Sequence, residues 1–188
     1  MIWESGAWKE ELQKEFKSFS KFLTEIKTSE NEYFNLRVEK FFFVSAFIIR
    51  KLNESNKLSD ELTSKDFIYV KYNRIRSDAI VDFLNFHHFD RFYDLKREEK
   101  CLLKSRDICN YFIHSFIFST VHDENGQLCG VLVNSDRTKD EFLLYVELNT
   151  FTELINDVID DDIVSMSYNR ITGAFKKSNV AGYDSNTS

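Results

Sequence analysis

Arg106, Asn110 and His114 each follow the last by four residues, and these three side-chain types suit chemistry at a phosphate. A guanidinium offers a fixed positive fork for phosphate oxygens. An imidazole gives or takes a proton near neutral pH, and a carboxamide between them can orient either partner. The surrounding pattern predicts a long helix from about Lys96 to His114. On such a helix Leu102, Cys109, Ile113 and Phe116 share one sector with Phe112 beside it, so that sector faces the core. Arg106, Asn110 and His114 then line its border, where side chains are partly desolvated yet reachable by a ligand.

The segment Arg106-Asp107-Ile108-Cys109-Asn110-Tyr111-Phe112-Ile113-His114 resembles the motif of the HEPN superfamily, a group of all-helical nucleotide-binding and ribonuclease domains. The layout of the chain also resembles that of small bacterial proteins. Asn110 and His114 match the family spacing. Cys109 stands where that family usually has its arginine, and Arg106 lies a turn earlier. The resemblance implies a homodimer in which motif helices pair and cut RNA without metal or cofactor, as in toxin–antitoxin and phage-defence systems. His114 would then exchange a proton with the ribose 2′-hydroxyl or the leaving oxygen, Arg106 would stabilise the phosphorane charge, and Asn110 would orient them. Within one chain Arg106 and His114 are about 12 Å apart along a helix axis, but across a two-fold axis near Asn110 antiparallel copies would bring them together.

Charge divides unevenly along the chain. Residues 1 to 115 carry 20 Lys and Arg against 19 Asp and Glu, whereas residues 116 to 188 carry 5 against 12. Lys96, Arg97, Lys100 and Lys104 form a basic group that could touch an RNA backbone or, diluted by Glu98 and Glu99, serve as a solvated face. A second group is Lys71, Arg74 and Arg76. The acidic C-terminal half supports a competing expectation: a non-enzymatic interaction module, such as an adaptor, antitoxin or immunity protein, that grips a basic partner. Cys109 in place of arginine favours that rival.

Other chemistries lack their residues. The sequence has five glycines and no Gly-rich phosphate loop or G-x-S-x-G elbow. The three cysteines, Cys101, Cys109 and Cys129, form no C-x-x-C pair, which fits a reducing cytoplasm. His87, His88 and Asp90 lack a further metal ligand, and Asp157, Asp160, Asp161 and Asp162 lack the alternation and glycine of a calcium loop, so they are expected to form a solvated helix end. The longest apolar stretch, Phe41 to Ile49, falls far short of the roughly 20 residues that span a bilayer, and the N-terminus has no secretory pattern.

The elements that must position these residues make an α+β chain. Apolar residues recur with helical spacing from Glu4 to Ile26 and, more densely, from Glu30 to Asn53. The second of these is apolar on nearly every side and is expected to be central. A short helix opens at Ser59, a strand covers Phe67 to Tyr72, and helix is expected over 78–89. Beyond His114 the pattern is a three-stranded antiparallel meander with an Asn125-Gly126 turn. A helix opened by a Thr150-x-x-Glu153 capping box follows, then a strand at Ile163 to Ile171. The expected organisation is a helical bundle over 1–115, a small antiparallel sheet with one helix over 116–175 packed with it as one compact unit, and a flexible tail over 176–188.

Overall fold

The computed structural model describes residues 4–25, 32–75 and 79–180. The chain runs through α1 (Ser5–Glu25), α2 (Glu32–Glu54), α3 (Asp60–Ser64), β1 (Asp66–Arg74), a 3-10 turn (Phe86–Arg91) and β2 (Tyr93–Lys104). It continues through α4 (Ser105–Ile113), β3 (Ser115–His122), β4 (Leu128–Ser135), β5 (Phe142–Glu147), α5 (Leu148–Asp160), β6 (Ser165–Asn169) and β7 (Ala174–Ser178). The fold is α+β, but it is not a helical bundle followed by a small meander. Five antiparallel strands form one sheet in the order β2-β1-β5-β4-β3, with the helices interspersed, and β6 and β7 pair as a separate ribbon.

The overturned expectation turns on residues 93–104. Lys96 to Lys100 are good helix formers, but the preference is worth only tenths of a kcal/mol per residue (about 0.7 at most). Against it stands an antiparallel ladder that pairs Asp66 to Tyr72 with Lys104 to Glu98 residue for residue. Pairing with β1 also buries Tyr93 and half-buries Cys101 and Leu103 on alternate positions. The segment is therefore strand β2, and the long motif helix shrinks to the nine residues of α4. The all-helical frame implied by the HEPN resemblance is replaced by a sheet that β1, from the first half, shares with β5, from the second.

Period-two alternation divides the sheet's side chains between two layers. Val131, Val133, Leu144, Val146, Phe67 and Tyr69 join the helices in the main core. Leu132, Leu143 and Ile117 face the other way, against Val81, Phe92 and Tyr93. Residues 79–85, expected to be helical, form turns and irregular backbone that lead into the 3-10 turn and cover this second layer; 76–78, with Arg76, lie outside the described residues. The main core is built from phenylalanine. Phe19 and Phe41 stack at 3.9 Å and Phe42 and Phe151 at 4.7 Å, each ring contributing about 1.5–3 kcal/mol by burial. Helix α2 is central, packing on α1, α4 and α5.

Helix α5 starts two residues before the expected capping box, with Glu147 as N-cap and no side-chain cap. Strand β7 begins just before Lys176, where a tail was expected, and Lys177 within it is buried; residues 181–188 lie outside the described residues. Among the described residues no helix is long and apolar enough to cross a membrane.

Candidate functional site

Helix α4 buries Ser105, Ile108, Cys109 and Phe112 against α2 and the sheet. Ile113, expected in that face, is 38% exposed. The opposite stripe, Asp107, Asn110, Tyr111 and His114, has the spacing of one helix face and lines an open groove of about 600 Å³. One wall is Arg50 from α2, and the other is the turn Ser135 to Thr138 after β4.

Two of the three motif residues meet in this groove. His114 caps α4 outside helical geometry, its amide donating to the Asn110 carbonyl at 3.0 Å. The His114 side chain is exposed. The Asn110 Oδ1 is sealed from solvent without a hydrogen-bond partner, an unmet acceptor that calls for a donor. Arg106 is exposed in the first turn of α4, about 100° around from Asp107, and is not a lining residue. Lys96, Arg97, Lys100 and Lys104 are exposed on β2 and do not line the groove either. Strand alternation separates Arg97 from the other three.

The guanidinium groups come from elsewhere. Arg50 donates from Nε to Glu54 at 2.7 Å, which leaves its terminal nitrogens for a ligand. Lys51 and then Arg50, through hydrogen bonds, hold the Glu54 carboxyl below the usual carboxylate range. Arg137 is exposed at the tip of the second wall. Asp136 is engaged by Lys139 at 2.7 Å. Tyr111 packs its ring edge against Phe142 at 6.1 Å.

The turn that carries Arg137 is held from beneath by a buried polar network. The Ser135 amide donates to Thr138 Oγ1 at 3.2 Å, and the Ser135 carbonyl accepts from the Thr138 and Lys139 amides. The Tyr93 hydroxyl donates to the Lys139 carbonyl and accepts from Asn134 Nδ2 at 2.8 Å. Asn134 Oδ1 in turn accepts the Ile117 amide at 3.1 Å, where the β3–β4 register shifts. Burial pushes the Tyr93 phenol up from its ordinary value, so the hydroxyl stays a donor.

Arg137 lies between β4 and β5 and Arg50 near the end of α2. Neither has a spacing that ties it to His114, because the link is made by packing between distant segments. Part of the acidic C-terminal half is engaged within the chain. Lys65 pairs with Glu153 at 2.9 Å and Asp157 at 2.7 Å. Asp161, expected on a solvated helix end, is buried and accepts from Ser59 and Asn179. Among the described residues no group of three or more His, Cys, Asp or Glu is arranged to hold a metal ion; the His87 and His88 ring centroids lie 4.0 Å apart with their planes tilted by 48°. No family model, curated protein or solved structure matches this chain.

Proposed function

We propose that this chain binds single-stranded RNA through the phosphate backbone in the groove beside α4, with His114 set against a phosphodiester. The observation that carries the reading is that Arg50, Arg137, His114 and Asn110, from three separate elements, line one open trough. Two guanidinium groups across a groove suit phosphate oxygens. Ser135 and Thr138 add hydroxyls to the wall that Arg137 tips, and an open trough accepts a continuous strand.

His114 lines this groove and can take the proton of a ribose 2′-hydroxyl as that oxygen bonds to phosphorus. The P–O5′ bond breaks, the 5′-oxygen leaves with a proton from water, and Arg50 or Arg137 meets the charge developing on the phosphoryl oxygens. Arg106 has no part in this arrangement, and the reading needs no second copy of the chain. Anisotropy of a fluorescein-labelled oligouridine, followed by gel analysis of the same RNA in EDTA, tests both parts. Arg137→Glu is expected to weaken binding at least tenfold, and Arg106→Ala to leave it unchanged. His114→Ala is expected to abolish cleavage with binding retained. No binding by the wild-type protein ends the proposal; binding without cleavage confines it to recognition.

A further inference from the structure

The β6–β7 ribbon stands apart from the main sheet, and its composition differs from its surroundings. Three of the five Lys and Arg of residues 116–188, Arg170, Lys176 and Lys177, fall in it, while no Asp or Glu occurs between Asp162 and Asp184. Lys177 is buried and belongs to the anchor: its Nζ lies 3.6 Å from Asp60, and its amide donates to the same carboxylate at 2.9 Å. Ser178 adds a hydrogen bond to Glu61 at 2.6 Å. Arg170 and Lys176 are exposed and form no ion pair among the described residues.

The ladder pairs Met166 with Lys177, Ser167 with Lys176 and Tyr168 with Phe175, so Met166, Tyr168 and Phe175 share one face with the anchored Lys177, and Lys176 points to the other. Tyr168 and Phe175 lie 4.6 Å apart, 52% and 40% exposed, and Ile171 at the tip is 96% exposed. A two-stranded ribbon gains little stability by itself, and about half of the Met166 and Tyr168 surface stays open to solvent. An exposed aromatic pair on a cationic, acid-free arm is the combination that holds single strands, with bases stacked on rings and phosphates on Arg or Lys.

We infer that the β6–β7 ribbon is a second contact for single-stranded nucleic acid, with a base stacked on the Tyr168–Phe175 pair and the backbone on Arg170 at the turn, while Lys176 on the opposite face adds positive charge at longer range. The ligand class is that proposed for the α4 groove, but the ribbon shares no residue with the groove and is tested separately. A labelled oligouridine long enough to reach both sites is titrated at two salt concentrations. Tyr168→Ala/Phe175→Ala is expected to weaken binding about tenfold, and Arg170→Gln/Lys176→Gln to reduce the salt dependence.

Since the alanine pair can loosen the ribbon, Tyr168→Trp supplies a variant that keeps an aromatic ring in place. Its emission, taken against the wild-type tryptophan background, is expected to be quenched as oligonucleotide is added. Wild-type affinity in both double variants together with an unquenched indole overturns the ribbon proposal and leaves the groove standing. Loss of binding in the ribbon variants alone, with Arg137→Glu binding normally, supports the ribbon and overturns the groove.

Discussion

Asp161 and Ser59, far apart in sequence, are joined by two hydrogen bonds to one carboxylate: the Ser59 amide donates to Oδ2 at 2.8 Å and the Ser59 hydroxyl donates to Oδ1. The same hydroxyl accepts the Leu62 amide at 3.1 Å as the N-cap of α3. The Lys9 ammonium donates to the Asp161 carbonyl, and Asn179 Nδ2 donates to Oδ1 at 3.2 Å. One buried aspartate therefore ties α1, α3 and the end of the ribbon together.

Removing that carboxylate leaves buried donors without acceptors. Asp161→Ala should cost about 3 kcal/mol or more, and Ser59→Ala about 1–2 kcal/mol through the lost cap. Urea unfolding of both variants measures this. A loss below about 0.5 kcal/mol for Asp161→Ala would show that the carboxylate does not bear on stability.

Tyr93→Phe removes the hydroxyl that links Asn134 to the Lys139 carbonyl. The expected cost is about 1–2 kcal/mol, with a looser turn around Arg137 and weaker RNA binding. Thermal unfolding and oligouridine anisotropy read the two effects separately. Unchanged affinity in a destabilised Tyr93→Phe protein would mean that the turn is held without this network.

Gly130 pairs with Glu147 across β4 and β5. A Cβ at this position would overlap the Val146 carbonyl oxygen and lie 2.9 Å from the Tyr145 ring. The first of these is backbone and cannot rotate away, so Gly130→Ala should destabilise by about 2–4 kcal/mol. A melting temperature equal to wild type would contradict this packing.

His122 lies 5.7 Å from the Phe34 ring with its Nε2 buried and unpartnered. Burial holds its imidazole below the ordinary histidine value, with the Asp123 charge opposing. The unfolded chain then binds this proton more tightly than the folded one. Stability contributed by the neutral ring is complete above about pH 6.5 and is lost as pH falls toward the depressed native value. Denaturation midpoints across that range should slope less in His122→Gln, and an unaltered slope would assign the pH dependence to other groups.

Cys109 is fully buried, and desolvation pushes its thiol well above the ordinary value. It should resist a thiol reagent at neutral pH until the protein unfolds, whereas Cys129, half-buried on β4, should react in the native state. Counting labelled thiols by mass before and after urea tests this, and rapid native labelling of Cys109 would place it at the surface.

Individual elements can be read from local pattern because they are set locally, although their assembly into one five-stranded sheet cannot. The meander from β3 to β5 follows from alternation and an Asn-Gly turn, with Gly126 at φ +76°. Ser59 caps the helix it was expected to open, and the apolar face of α5 is buried at Phe151, Leu154, Ile155 and Val158. Residues 93–104 mislead because a Lys- and Glu-rich sequence favours helix until a partner strand recruits it, and that partner is recognised only by pairing. The site divides in the same way. Asn110 and His114 are neighbours on one helix and readable from spacing, while Arg50 and Arg137 reach them through tertiary packing.

The position of β1 between β2 and β5 also bears on how the chain matures. Its pairing with β2 can form as soon as the hairpin leaves the ribosome, but its other edge waits for Phe142 to Tyr145, which are synthesised much later. Until then Phe67 and Tyr69, sealed in the finished protein, have no lid from α5, and half of β1 offers bare amides and carbonyls to any neighbouring chain. Such delayed closure slows folding and favours aggregation at high expression, so slow synthesis at low temperature or a chaperone that shields strand edges should raise the yield of intact protein.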